Sequence, residues 1–251
     1  MDRKIRQKVT GFTTRDGAGV KLVRVLGHST VEAFDPFLML DSFDSRNPED
    51  YIAGFPRHPH RGIETITYMS AGEMVHRDSL GNSGVIRDGQ VQWMTAGSGI
   101  MHEEMPQAVE RMLGVQIWLN LPAQDKMVPP AYHSIEADQI IDLPVAGGKV
   151  RLISGRYGEH EAFRGEYIDA HFYSIQLEAG AGLTLEVPEG HSAYLFTLVG
   201  DAVIADELIE EKTAVSTTDG VSLTVAAADQ PIELLYLSAP RLDEEVAWGG
   251  P

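Results

Sequence analysis

The sequence contains no cysteine, so disulfide staples and thiolate metal ligands are both excluded. It has no run of about 18 consecutive apolar residues, the length a helix needs to cross a bilayer. Its first residues lack the apolar core of a secretory signal. A cytoplasmic chain with no membrane partner is the expectation. Basic residues are scarce in one half only. Residues 1–129 carry 14 Lys and Arg against 16 Asp and Glu, whereas residues 130–251 carry 6 against 21, so most of the net charge of −17 sits in the second half. An acidic surface repels a phosphate backbone, which argues against a nucleic-acid face there; the short basic start from Arg3 to Lys8 reads as a solvated first strand. Long helical patterns are also missing. Asp206 to Lys212 and the segment near Ala137 are modestly helical but too short to stand alone.

Glycine and proline, by contrast, are plentiful, with 25 and 13 residues that cut the chain into short apolar runs. Such punctuation predicts many strands and turns, hence an all-β chain built as sandwiches or small barrels. Strands are expected at Val9–Phe12, Val20–Val25, Gly62–Met69, Val91–Met94 and Met112–Leu119, and, in the second half, among others at Lys149–Ile153, His171–Leu177, Ala193–Val199 and Ile232–Leu237. Leu121 to Tyr132 holds three prolines and reads as a crossover, giving domains 1–129 and 130–251. Ala71-Gly72-Glu73 and Val199-Gly200-Asp201 each stand between apolar strands, an offset of 128 residues that suggests an internal repeat. At that offset His58 falls on Glu186 and His60 on Pro188, so the second copy lacks the ligands of the first.

Chemistry is concentrated between Gly54 and Pro106. His58-Pro59-His60 and His102-Glu103-Glu104 each place two donor groups at spacing two, on one face of a strand. A lone His-x-His is weak evidence, but two such pairs about forty residues apart can be brought side by side by a few short strands. His58, His60, His102 and Glu104 are therefore the candidate metal ligands, with open positions for exogenous ligands and with Glu104 also the candidate catalytic base. Alternation turns Glu103 to the other face. It puts Glu64 with His60, as a fifth ligand or a carboxylate behind the ligands, unless a twist or bulge displaces it. His76 either orients a ligand or is satisfied by a backbone carbonyl. His28, His133, His160, His171 and His191 lack ligand partners at useful spacing and read as structural. Gly97-Ser98-Gly99 is a turn, since no helix follows it to bind phosphate. Met94, Met101, Met105 and Met112 read as packing around the site, while Trp93, Phe55 and Phe37 either line a pocket for a flat ligand or fill the core.

At these residues the sequence resembles the pirin family, a two-domain branch of the cupin superfamily. The resemblance is densest in Asp35–Asp41, in His58–Thr65 and in Gln92–Pro106, and weaker from Gly190 to Gly200. It implies two double-stranded β-helix (jelly-roll) barrels packed face to face, with one metal in the N-terminal barrel held by the residues matching His58, His60, His102 and Glu104. Glu64 then stands behind the ligands. It implies iron as the usual metal, Fe(II), although related barrels accept copper, nickel, manganese or zinc. It also implies quercetin 2,3-dioxygenase activity, with a flavonol-like aromatic substrate and dioxygen as partners of a monomer. The rival expectation is a metal-binding regulatory module acting through a protein partner without turnover, and a third is a metal-free structural barrel. Relatives often continue past a Gly-Pro into an apolar tail, whereas this chain ends at Gly249-Gly250-Pro251, which puts any closing role of a tail in doubt.

Overall fold

The structure is a computed structural model and describes residues 1–248. Among those residues the one α-helix is a single turn, Val31–Phe34, and short antiparallel strands supply most of the rest. Among the described residues no helix is long and apolar enough to cross a membrane. Asp206 to Lys212, modestly helical in sequence but too short to stand alone, lies in and after a hairpin. Ala202–Ile204 pairs with Glu207–Ile209, and the two linking residues, Ala205 and Asp206, both take positive φ, as a two-residue hairpin turn demands. The segment at Ala137 is a turn. The tail expectation at Gly249-Gly250-Pro251 lies outside the described residues.

The chain divides into two compact units, each with one seven-stranded and one four-stranded antiparallel sheet, and the later unit adds a two-stranded ribbon, Arg156–Tyr157 with His160–Glu161. One unit is Phe12–Ala137 together with the segment from Asp243, and the other is Met1–Gly11 with Asp138–Leu242. This differs from the 1–129 and 130–251 division at both ends. Ile5–Thr10 pairs with Thr213–Thr217 and so belongs to the later unit. Ala131–Ile135, just past the proline-rich stretch, pairs with Val91–Thr95 and extends the earlier unit to Ala137. Strand edges need hydrogen-bond partners, and these lie far away in sequence, where no local composition marks them.

The duplication is visible in the topology. Ile63–Ala71 occupies the third place of one seven-stranded sheet and His191–Val199 the third place of the other, and the two strands are offset by the 128 residues that the sequence suggested. Likewise Phe55–His60 pairs with Ile100–Pro106 as Gly182–Glu186 pairs with Ser222–Ala227. Each interior is apolar. Val20, Leu22, Phe43, Met69, Met74 and Met112 pack in the first unit, and Leu152, Tyr173, Leu195, Val215, Leu234 and Tyr236 in the second. Burying a Leu- or Phe-sized side chain is worth about 1.5–3 kcal/mol each, so these clusters are the main stabilising term.

Candidate metal centre

The earlier unit's four-stranded sheet sets the site. Ile100–Pro106 runs between Phe55–His60 and Met74–Asp78, and its register puts His102 opposite His58 on one side and Glu104 opposite His76 on the other. An irregularity between His102 and Glu104 shifts the pairing so that Glu104 faces Phe55. The result is convergence. His58 Nε2 is 3.0 Å from both His60 Nε2 and His102 Nε2, and the three rings offer donor atoms within 4.8 Å of one another. His102 Nε2 lies 3.9 Å from Glu104 Oε2. His58 Nδ1 is 2.9 Å from the Pro56 carbonyl, which can only accept, so the ring proton sits there and the Nε2 lone pair points into the cluster.

Burial sets the electrostatics. His102 is 1% exposed and His60 is 7% exposed. Desolvation, helped by the neighbouring imidazoles, pushes the pKa of His60 down to about 3 and that of His102 down to about 2, so both rings are neutral donors at pH 7. Burial also raises Glu104 to about 7, against the hydrogen bond that Thr67 Oγ1 donates to its Oε1 at 3.2 Å. Neutral imidazole lone pairs aimed at one another beside a buried carboxylate are the chemistry of a cation site, and this three-histidine cluster could bind a metal ion. A pH dependence follows. If Glu104 joins the three imidazoles on the ion, uptake below pH 7 displaces its proton, and affinity should then rise by about tenfold per pH unit from pH 5 to 7 and flatten above it. Titrating metal-stripped protein in weak buffer should show that proton released at pH 6 and not at pH 8.

The structure separates the remaining candidates. Glu103 turns outward to Arg77, as alternation predicts, with the two charges 3.2 Å apart. Glu64 is not at the site. Thr67 reaches Glu104 from one face of Ile63–Ala71, which puts Glu64 on the opposite face, where Thr95 Oγ1 donates to its Oε1 at 2.7 Å. Parity from His60 fails because Gly62, with φ of +68°, turns the chain from one sheet into the other. His76 is held by a side-chain amide, Gln92 Nε2 at 2.6 Å, rather than by a backbone carbonyl, and it stacks on Tyr132 with centroids 5.5 Å apart. Met94 and Met112 are buried, but Met101 points to solvent at 37% exposure and packs nothing at the site. Gly97-Ser98-Gly99 is a turn. Gly97 has φ of +51°, and a Cβ there would stand 2.1 Å from the Val128 carbonyl, so no other residue fits.

A cavity of about 260 Å3 opens onto the cluster, near the small end of ligand pockets. Its apolar wall is Met39, Phe43, Phe55 and Trp118; Phe55 was an expected member, whereas Trp93 and Phe37 are fully buried and line none of it. Sequence reasoning missed Thr67, Gln116 and the pair Arg24–Asp41. Gln116 and Asp41 line the cavity. Arg24 holds Asp41 in two hydrogen bonds of 2.9 and 2.7 Å, and reaches Asp16 at 2.6 Å. The available signal was strand alternation, which places Thr67 and Gln116 inward, but nothing local pairs Arg24 with Asp41.

Two jelly-roll barrels in one chain, one of them carrying a cluster of three imidazoles, define a two-domain cupin, or bicupin. The chain belongs to the pirin family. The family model described as Pirin matches residues 19–119, and the one described as Pirin C-terminal cupin domain matches residues 172–251. A Pseudomonas aeruginosa protein provisionally named a quercetin 2,3-dioxygenase is 47% identical over 82% of this chain and 74% of its own length. A pirin-like protein of Caulobacter vibrioides is 41% identical over 99% of the chain and 91% of its own. Among solved structures, a quercetin 2,3-dioxygenase from Acinetobacter baumannii superposes with a TM-score of 0.89 at 31% identity, covering 99% of this chain and 91% of that one.

Proposed function

We propose that this chain is a metal-dependent dioxygenase that cleaves a flavonol-like, enolisable aromatic substrate of the quercetin 2,3-dioxygenase type. The observation that carries the reading is the arrangement of three Nε2 donors and a buried carboxylate 3.9 Å away, opening onto an aromatic-walled cavity. The quercetin 2,3-dioxygenase names of the relatives support it. His58, His60, His102 and Glu104 would hold one divalent ion, which we assign as Fe(II), with copper, nickel, manganese or zinc chemically compatible. Bound there, such an ion would polarise the substrate's hydroxyl oxygen and bring dioxygen to the electron-rich ring.

The chain's own groups do the rest. Phe43, Phe55 and Trp118 give the cavity an aromatic wall for a flat ring to pack against, which keeps bulk water off the reacting carbons. Glu104, buried beside His102 with Oε2 3.9 Å from its Nε2, accepts the substrate hydroxyl proton on Oε2. Thr67 holds Oε1 and fixes the rotamer. Oxygen uptake with quercetin as substrate tests the reading. Metal-loaded protein should consume oxygen with the flavonol, and flavonol loss should cease under argon. Flavonol consumption that continues at the same rate under argon rejects the oxygenase assignment. No turnover with any of the five metals rejects it in favour of a regulatory module acting through a protein partner.

A further inference from the structure

We infer that Gln116 is a catalytic residue of the site in the earlier unit, its amide nitrogen donating to the carbonyl oxygen of a substrate that carries a hydroxyl and a ketone on adjacent carbons. The inference rests on the oxygenase reading and narrows its substrate class. The sequence already marks the position as costly. Met112–Asn120 is apolar from Met112 to Leu119 except at Gly114 and Gln116, and an amide set in the middle of such a strand destabilises the fold unless it is hydrogen-bonded. Gln116 is nonetheless buried, at 7% exposure.

Neighbouring strands satisfy one end of the amide only. Gln116 stands directly opposite Thr67 of Ile63–Ala71 on one side and Asp41 of Phe37–Ser45 on the other, so the three side chains share a face. Thr67 Oγ1 donates to Gln116 Oε1 at 2.6 Å and shares the same proton with Glu104 Oε1 at 3.2 Å. The amide oxygen is thereby spent on Thr67, which leaves Nε2 with its two N–H donors. Asp41 holds Arg24 through both of its carboxylate oxygens, and among the described residues nothing accepts from Gln116 Nε2. The nitrogen is not sealed in the core either, because Gln116 lines the cavity onto which His58, His60 and Glu104 open. Unspent donors on a buried side chain call for an oxygen, and the cavity is the side from which one arrives.

Chemistry names that oxygen. Glu104 and Gln116 are joined through the single hydroxyl of Thr67, so the groups they meet lie close together on one molecule. When the substrate hydroxyl gives its proton to Glu104 Oε2, its O–H bond breaks and the electron pair stays on the substrate, where conjugation spreads it onto the adjacent carbonyl oxygen. An N–H aimed at that oxygen binds it more strongly as the charge grows, and so stabilises the transition state more than the ground state. A plain phenol or a catechol offers no such carbonyl. Gln116 therefore selects the hydroxy ketone over either, and Thr67 holds the base and the donor in one fixed relation.

Ligand binding to metal-stripped full-length protein, followed by tryptophan fluorescence with Trp118 in the cavity wall, tests the inference beside turnover of the metal-loaded protein. The probes are 3-hydroxyflavone and its 4-thio analogue, in which sulfur, a weak acceptor, replaces the carbonyl oxygen. Wild-type protein should bind the oxygen compound about fivefold more tightly, the worth of one net hydrogen bond, and Gln116→Leu should bring the two within about twofold. In turnover, Gln116→Leu should lower kcat by about 100-fold with KM within about threefold and with metal content unchanged. Gln116→Met, closer in length and flexibility, should behave alike and stands in if circular dichroism shows the leucine variant misfolded. A folded variant with wild-type kcat overturns the inference, as does one that keeps the preference for oxygen over sulfur or one whose loss of activity follows loss of metal. Wild-type protein that turns over no flavonol with any metal, yet shows that preference and loses it in Gln116→Leu, rejects the oxygenase reading and leaves the carbonyl donor standing.

Discussion

Replacing His102 by alanine is expected to remove stoichiometric metal and to lower oxygen-dependent turnover by about a thousandfold or more, whereas Glu103→Ala, one residue along the same strand, should leave both within about twofold. The first figure follows because even residues behind a ligand cost about 10–100-fold in metal affinity when lost, and a ligand itself costs more. His102 is the most buried of the three imidazoles and sits in the middle strand, within 3.0 Å of His58 Nε2 and 3.9 Å of Glu104. Glu103, by contrast, makes a partly exposed ion pair with Arg77, worth about 0–1 kcal/mol. The comparison sets neighbouring positions on opposite faces of one strand against each other. Glu104→Gln gives a third point. It keeps a group of the same shape beside Thr67 but can neither carry charge nor take a proton, so it should bind metal more weakly and lose turnover further than metal loss explains. Metal content, oxygen uptake and circular dichroism on all three variants provide the check. A His102→Ala protein with a full complement of metal, or a Glu103→Ala protein as inactive as it, would remove the case for this site.

The histidine pairs were legible because ligand geometry on a strand is local. Spacing two means the same face, and His58 with His60 needs no knowledge of the rest of the chain. The all-β class was legible for a similar reason, since glycine and proline mark the ends of short apolar runs one by one. The internal repeat was also readable, through the matched Ala71-Gly72-Glu73 and Val199-Gly200-Asp201 turns, whose offset the strands reproduce. What failed to show was pairing across long separations. Ile5–Thr10 reads as a first strand of the first domain until its partner Thr213–Thr217 is known. Glu64 obeys alternation from His60 only as far as Gly62, where a positive φ that glycine alone makes cheap resets the parity. His171 and His191 looked partnerless because Asp169, Ser238 and Tyr173 meet them through three strands and a loop. Asp206–Lys212 has helix-forming residues on a hairpin, where pairing with Ala202–Ile204 outweighs a propensity of a few tenths of a kcal/mol per residue.

Asp41→Ala is expected to cost about 2–4 kcal/mol of stability, more than Arg24→Leu, and the double change should cost less than Asp41→Ala alone. Asp41 is 3% exposed and takes both of its short hydrogen bonds, at 2.9 and 2.7 Å, from Arg24. Truncating it leaves a guanidinium at the cavity wall facing an apolar methyl. A fully buried pair broken this way costs about 3–5 kcal/mol, and the range here is discounted because the Arg24 side chain is 30% exposed and keeps Asp16 at 2.6 Å. Removing Arg24 instead strands a buried carboxylate, but Asp41 can protonate and become neutral, an escape closed to guanidinium. The double variant removes both charges, so the penalty for an unpaired one disappears. The same geometry reaches function. Asp41 and Asp16 line the cavity together with His58 and Trp118, so the Arg24 guanidinium that bonds to both carboxylates braces that wall. Asp41→Ala should therefore raise KM for a flavonol while sparing metal content, because none of the three histidines hydrogen-bonds to it. Urea titrations give the stability order and steady-state kinetics the split between KM and kcat. A double variant less stable than either single one would mean that the pair is held by packing rather than charge, and an unchanged KM would detach it from the cavity.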